Sequence, residues 1–261
     1  MKCISRIAAL CLFIFFGFHR LFAFSIEKSE PPSWFSGMAH DTISVLVYGE
    51  SLQELQSVSS TPEIEILLYK TYANNQFLKL GIRIIRAGDA WITFRGEGHR
   101  EEKLHFPILE RTGYQAPSFN SADIIYLLMP DRFADGNPNN NTIPGHLDNA
   151  EPEHKWGRHG GDLRGIINNI SYLKELGISA LWITPVFENN YPHAYHGYTP
   201  TDLYAIEPHL GSEKDYHELI DSLHQNGIKI IKDHIVNHIS PSHPIAQNPP
   251  EKDWINGSID H

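Results

Sequence analysis

At 261 residues, 41% apolar and 20% charged, the chain has room for one large domain or two ordinary ones, with a globular composition. That excludes a disordered tail, a collagen-like repeat and a multi-span membrane protein. A formal charge of −10 leaves no electrostatic footprint for nucleic acid and suits a neutral or cationic partner, while sixteen His and five Trp are generous for sugar or metal sites.

Residues 1–24 read as a secretory signal. Lys2 and Arg6 precede the apolar run Ile7–Phe18, and Ala23 closes a Leu-Phe-Ala sequence suited to cleavage. The run falls short of the ~20 residues that span a bilayer. Export to the periplasm or the extracellular space is therefore expected, with no membrane association after cleavage. Cys3 and Cys11 both lie inside this segment, so the mature chain is expected to be free of disulfides.

Residues 25–118 follow a period of two. Ile43–Val47, Leu78–Ile84, Ala90–Arg95 and Leu104–Ile108 read as strands, separated by turn material at Ala87–Asp89 and Gly96–Gly98. Short strands at such spacing predict a small N-terminal β-sandwich. From about residue 119 to 261 the rhythm changes. Ile124–Met129 is a continuous apolar run, as expected for a strand buried on both faces. Gly165–Leu176 carries a helical stripe of Ile166, Ile167, Ile170, Leu173 and Leu176, ended by Gly177. Ile178–Thr184 is a second strand. Ser212 and Asp215 form a capping box that starts a helix closed by Gly227, and Ile228–Asp233 is a third strand. Strand, helix, strand, helix, strand predicts βαβ units and a parallel sheet.

In such sheets the chemistry gathers at the C-terminal ends of the strands. Asp135, Asn137, Asn140 and Asn141 follow the first of these strands, Ala194–Tyr198 the second, and Asp233, Asn237 and His238 lie at or beyond the end of the third. The first group concentrates hard oxygen ligands that suit Ca²⁺; an Asn-rich turn satisfying its own backbone reads equally well. An EF-hand does not fit, because the sixth loop position from Asp135 is not Gly and the twelfth is not Glu. Tyr198 offers a flat face for a sugar ring, with His196 as a donor beside it. His234 and His238 stand four apart, but Ile235 occupies the place of the usual Glu and zinc needs three or four ligands.

These segments, with Gly160-Gly161-Asp162-Leu163-Arg164-Gly165 and Leu181-Trp182-Ile183-Thr184-Pro185, resemble the opening third of the α-amylase family, glycoside hydrolase family thirteen. Pro31–Met38, Glu188–Asn190 and Lys252–Asn256 resemble its cyclomaltodextrinase and neopullulanase branch. The resemblance implies a β-sandwich followed by an incomplete (β/α)8 TIM barrel of about three strands. It also implies a calcium site of Asp135, Asn137, Asn140, Asn141, the Gly160 carbonyl and Asp162. By the same match Tyr198 stacks on the sugar at the cleavage point, Asp233 and His238 shape that subsite, and His196 stands beside it. The implied partner is an α-glucan, a maltooligosaccharide or a cyclodextrin, and the sandwich of that branch often supports a homodimer.

Retaining glycosidases of this kind need two carboxyl groups about 5–5.5 Å apart. The family places its nucleophilic Asp after the fourth strand and its acid Glu after the fifth. Asp233 matches the third, so no catalytic carboxylate is expected within 1–261. A complete barrel takes about 250 residues. The sequence is therefore read as the N-terminal portion of an exported α-glucan hydrolase, inactive by itself. A non-catalytic α-glucan-binding protein is the alternative, disfavoured by the open sheet edge that three strands would leave.

Overall fold

In the computed structural model the described residues are 24–111, 113 and 118–256. Residues 1–23, and with them nearly all of the expected signal, lie outside this set. The chain divides into two compact units, Met1–Arg111 and Thr112–His261.

The first unit contains β1 (Ser25–Glu30), β2 (Trp34–Phe35), β3 (Thr42–Glu50), β4 (Leu55–Ser60), β5 (Ile64–Thr71), β6 (Phe77–Ile84), β7 (Trp91–Gly96), β8 (Glu101–His105) and β9 (Ile108–Leu109). One antiparallel sheet runs in the order β1-β3-β6-β5 and a second in the order β4-β7-β8. The period-two pattern has its expected cause. Val45 and Val47 of β3, Leu78, Leu80 and Ile82 of β6, and Ile92 and Phe94 of β7 all bury in one apolar cluster, so the two sheets form a sandwich. Phe24 is 1% exposed in that cluster, and Trp34 packs against it as a core residue. The last predicted strand is displaced. Pairing with β7 uses Glu101–His105, whereas Ile108–Leu109 crosses to β2 after Pro107, which has no N–H to extend a ladder.

The second unit contains β10 (Ile125–Leu128), α1 (Leu163–Asn168), α2 (Ile170–Glu175), β11 (Ala180–Ile183), β12 (Phe187–Glu188), β13 (Asp202–Ile206), α3 (Glu213–Gln225), β14 (Lys229–Lys232) and α4 (Pro244–Gln247). β10, β11 and β14 form a parallel sheet in that order, with Ile125 opposite Ala180 and Ala180 opposite Lys229. The capping box at Ser212 is present, with the Ser212 side chain accepting from the Asp215 backbone N–H and the Asp215 carboxylate accepting from the Ser212 N–H. Leu163, Leu173, Leu219 and Leu223 are fully buried against Leu181 and Ile183. Truncating any of these leucines to Ala is expected to cost about 2–5 kcal/mol.

Two expectations are corrected. The single helix over Gly165–Leu176 is two helices meeting at Asn169, whose backbone (φ −112, ψ 18) leaves the helical well while its side-chain amide donates to the Gly165 carbonyl. An Asn side chain competing for backbone partners explains the break. The run Ile124–Met129 is not buried on both faces. Leu128 is 3% exposed, but Ile125 and Leu127 are 51% and 55% exposed. β10 is an edge strand, and the helices pack on the Leu128 face of the sheet.

Candidate functional site at the C-terminal ends of the parallel strands

The parallel register decides which side chains meet. Trp182 lies opposite Ile231, and Asp233 is two residues further along, so Trp182 and Asp233 share one face of the sheet. The Trp182 indole N–H donates to Asp233 Oδ2 at 3.2 Å, and the Tyr198 hydroxyl donates to the same oxygen at 2.8 Å. Burial first, and then the Asp233 carboxylate, pushes the Tyr198 phenol up to about 12. Tyr198 is therefore a protonated donor across the neutral range, and Asp233 is an acceptor fixed from two directions.

The Tyr198 loop is held from several sides. Gly197 turns it at φ +85, and an added Cβ would stand 2.2 Å from the Pro185 carbonyl oxygen, so only Gly fits. His196 Nδ1 accepts from the Tyr198 backbone N–H at 2.9 Å, and the two rings lie 5.8 Å apart at 30°. Burial lowers the His196 pKa, which favours neutral imidazole with its proton on Nε2. His238 Nε2 lies 2.9 Å from the Tyr198 carbonyl oxygen, and Asn237 Nδ2 lies 3.2 Å from His238 Nδ1. The amide donating to Nδ1 leaves the Nε2 proton to donate to Tyr198. Beside His238, a cleft of about 700 Å³ is lined by Leu203, His234, Val236, Ile245 and Trp254. The four residues predicted from sequence, His196, Tyr198, Asp233 and His238, thus converge.

Two contributors escaped the sequence reading. Trp182 was part of a motif, but its role follows from alternation, since Leu181 and Ile183 are buried and Trp182 points to the other face. The Arg132 guanidinium stacks 3.9 Å over the Tyr195 ring and donates to the Gly157 carbonyl at 2.9 Å. It also pairs with buried Asp131, whose carboxylate accepts the His159 N–H. No short-range pattern announces that stack.

The Asn-rich loop is built around Asp162, the N-cap of α1, which is 0% exposed. Asp162 Oδ1 accepts from Gly165 N at 2.6 Å and Gly136 N at 3.0 Å, and Oδ2 from Asn137 N at 2.9 Å. Asn137 Oδ1 accepts from the Asn139 backbone, the local turn chemistry weighed above. Asn141 Nδ2 donates to Asp135 at 2.7 Å, while the side-chain oxygens of Asn140 and Asn141 are buried without a hydrogen-bond partner. Gly160, at φ +90, gives Asn141 its room, because a Cβ there would stand 2.9 Å from the Asn141 side-chain oxygen. All six predicted residues therefore gather in one place. Two orphaned buried oxygens among carboxylates are the donor chemistry that a hard cation takes.

Comparison with known proteins identifies both units of the chain. Residues 127–255 match the alpha-amylase catalytic domain, and residues 28–112 match the N-terminal domain of cyclomaltodextrinases. A beta/alpha-amylase of Paenibacillus polymyxa is 41% identical over 145 residues, covering 53% of this chain and 12% of that protein. The cyclomaltodextrinase of Thermoanaerobacter pseudethanolicus is 38% identical over 152 residues, covering 55% of this chain and 25% of that protein. A solved Anoxybacillus alpha-amylase is 38% identical with a TM-score of 0.48, over 52% of this chain and 28% of that one. The chain thus spans about a quarter or less of the length of these curated relatives. Residues 28–112 thus belong to the cyclomaltodextrinase N-terminal domain family, and residues 127–255, which follow them, are part of an α-amylase catalytic domain.

Proposed function

We propose that the whole protein is an exported α-glucan hydrolase of the cyclomaltodextrinase and neopullulanase type. It cleaves α-glucosidic bonds of starch-derived oligosaccharides with retention of configuration, and this chain supplies the sandwich and part of the substrate site. The observation that carries the reading is the convergence of Tyr198 and Trp182 on Asp233, with His196 and His238 bracing the Tyr198 loop. Tyr198 presents a sugar platform, and Asp233 and His238 present polar groups at its edge. The nucleophile and the acid are carboxylates outside residues 1–261. Calcium at Asp135, Asn137, Asn140, Asn141, the Gly160 carbonyl and Asp162 would fix the loop after β10. The orphaned Asn140 and Asn141 oxygens support this. Export with cleavage after Ala23 would begin the mature chain at Phe24, which the sandwich core needs. A homodimer through the sandwich is in keeping with the half-exposed Leu67, Leu68 and Tyr69 of the edge strand β5.

The test is to assay the full-length product and the 1–261 chain on maltooligosaccharides, cyclodextrin and pullulan, with the product anomer read by NMR. Retained configuration by the full-length enzyme, loss on Tyr198→Ala and no turnover by 1–261 are expected. Turnover by 1–261 that Asp233→Asn abolishes would overturn the assignment of the carboxylates. Edman sequencing of exported protein is expected to begin at Phe24; a product retaining Met1–Arg6 would refute cleavage.

A further inference from the structure

Glu207 and His209 lie between β13 and α3, and His146 lies in the segment between β10 and α1. We propose that His146, Glu207 and His209 form a second metal site, for a zinc-class divalent ion, that ties these two segments together. One potential ligand atom from each residue lies within 4.8 Å of the other two. Glu207 is 0% exposed and His209 3% exposed.

Glu207 Oε1 lies 2.5 Å from His209 Nδ1 and 3.9 Å from His146 Nδ1. An ion held by these three atoms would take the place of the proton that His209 and Glu207 share, leaving the ring's other proton on Nε2. His146 Nδ1 is buried without a hydrogen-bond partner. Charge points the same way. Arg158, 1% exposed, lies 3.1 Å from Asp148 and 3.6 Å from Glu207, so one buried cation faces two buried carboxylates. A divalent ion answers both the unmatched negative charge and the unpartnered His146 nitrogen. The donor set selects the ion class, because two imidazoles with a carboxylate suit zinc, whereas calcium takes oxygen. Arg158 and the Asn189 backbone N–H, 2.8 Å from Glu207 Oε2, orient the carboxylate from outside the site. The site shares no residue with the Asp162 loop and does not depend on the hydrolase reading.

The test uses the full-length protein stripped with chelator, then titrated with Zn²⁺ by calorimetry, with bound metal quantified and melting followed with Zn²⁺ or Ca²⁺. One zinc per chain and a raised midpoint are expected. His146 is half-buried, so His146→Asn is expected to keep its circular dichroism spectrum while losing zinc affinity by at least the roughly 10–100-fold typical of a disturbed ligand shell. His209→Asn is expected to lose it as well. The exposed pair His154 and His193, with ring centroids 5.9 Å apart, is the control, and His154→Ala with His193→Ala should leave binding unchanged. No zinc uptake would mean a hydrated ion-pair cluster and would overturn the proposal. Uptake that survives both His146→Asn and His209→Asn would overturn it equally.

Discussion

Replacing Asp162 with Ala tests whether one carboxylate organises the whole loop after β10. In the structure it caps α1 through Gly165 N at 2.6 Å and holds the turn through Gly136 N at 3.0 Å and Asn137 N at 2.9 Å. Loss of an N-cap of this kind costs about 1 kcal/mol. Each further N–H left without its acceptor costs about 1–3 kcal/mol, with the lower end apt for part-buried groups. A loss of about 3–5 kcal/mol is therefore expected in chelator, before any metal contributes. Calcium at 100 times its Kd should stabilise the unsubstituted protein by a further ~2.7 kcal/mol and the variant by none. Asp162→Asn, whose remaining oxygen can still accept from Gly165 N and Gly136 N while its amide faces Asn137 N, should lose less than Ala in chelator. The assay is urea unfolding of the three proteins with and without calcium. A loss under about 1 kcal/mol in chelator would refute the organising role, and an equal calcium response in all three would refute the ligand assignment.

Tyr198→Phe should remove a pH dependence. The folded phenol is raised from 10.0 to about 12, so its contribution is complete below pH 10 and is lost as pH rises from 10 to 12; the Phe variant should lose less stability over that window. Asp123 has the opposite sign. Its hydrogen bond from Lys229 holds the carboxyl at about 2 against 3.8, so its contribution is present above pH 3.8 and lost as pH falls toward 2, and Asp123→Asn should flatten that acid limb. Gly197→Ala should destabilise the Tyr198 loop and weaken maltooligosaccharide binding by the full-length protein, because the new Cβ meets backbone rather than a movable side chain. Unchanged melting and binding would refute the strain argument.

Much of the architecture was legible because burial writes itself into the sequence as a period. Val45, Val47, Leu78, Leu80 and Ile82 alternate because one face of each strand is core. Ser212 and Asp215 gave the start of α3 because a capping box satisfies two backbone donors that no other local pattern satisfies as simply. The failures were places where period and fold part company. A helical stripe through Ile166, Ile170 and Leu173 is the same whether the helix is one or two, since the break depends on the backbone partner Asn169 chooses. A continuous apolar run signals buried strand, yet it says nothing about whether both faces of the sheet are covered. Ile125 and Leu127 therefore read as core and stand half exposed.

The candidate sites divide along the same line. The Asp162 loop could be read because its oxygen-bearing side chains crowd into residues 135–141, with Gly160 and Asp162 supplied by resemblance, and local crowding survives in sequence. The group at Asp233 needed the parallel register, which sets Trp182 opposite Ile231 and hence beside Asp233, 51 residues away. His146 and Glu207 lie further apart still and share no motif, and only burial brings their atoms together. That difference has a physical consequence. Asp162 holds its loop through three backbone N–H groups, so the loop keeps its order with or without an ion. The His146 group leaves the buried His146 Nδ1 unpartnered, on a segment distant in sequence from Glu207 and His209, so by the proposal its order rests on the ion between them. On this reasoning, chelation should loosen the contact between the segments after β13 and after β10 more than it loosens the Asp162 turn. Amide exchange would show it, with protection at Asn189 falling further than protection at Gly136.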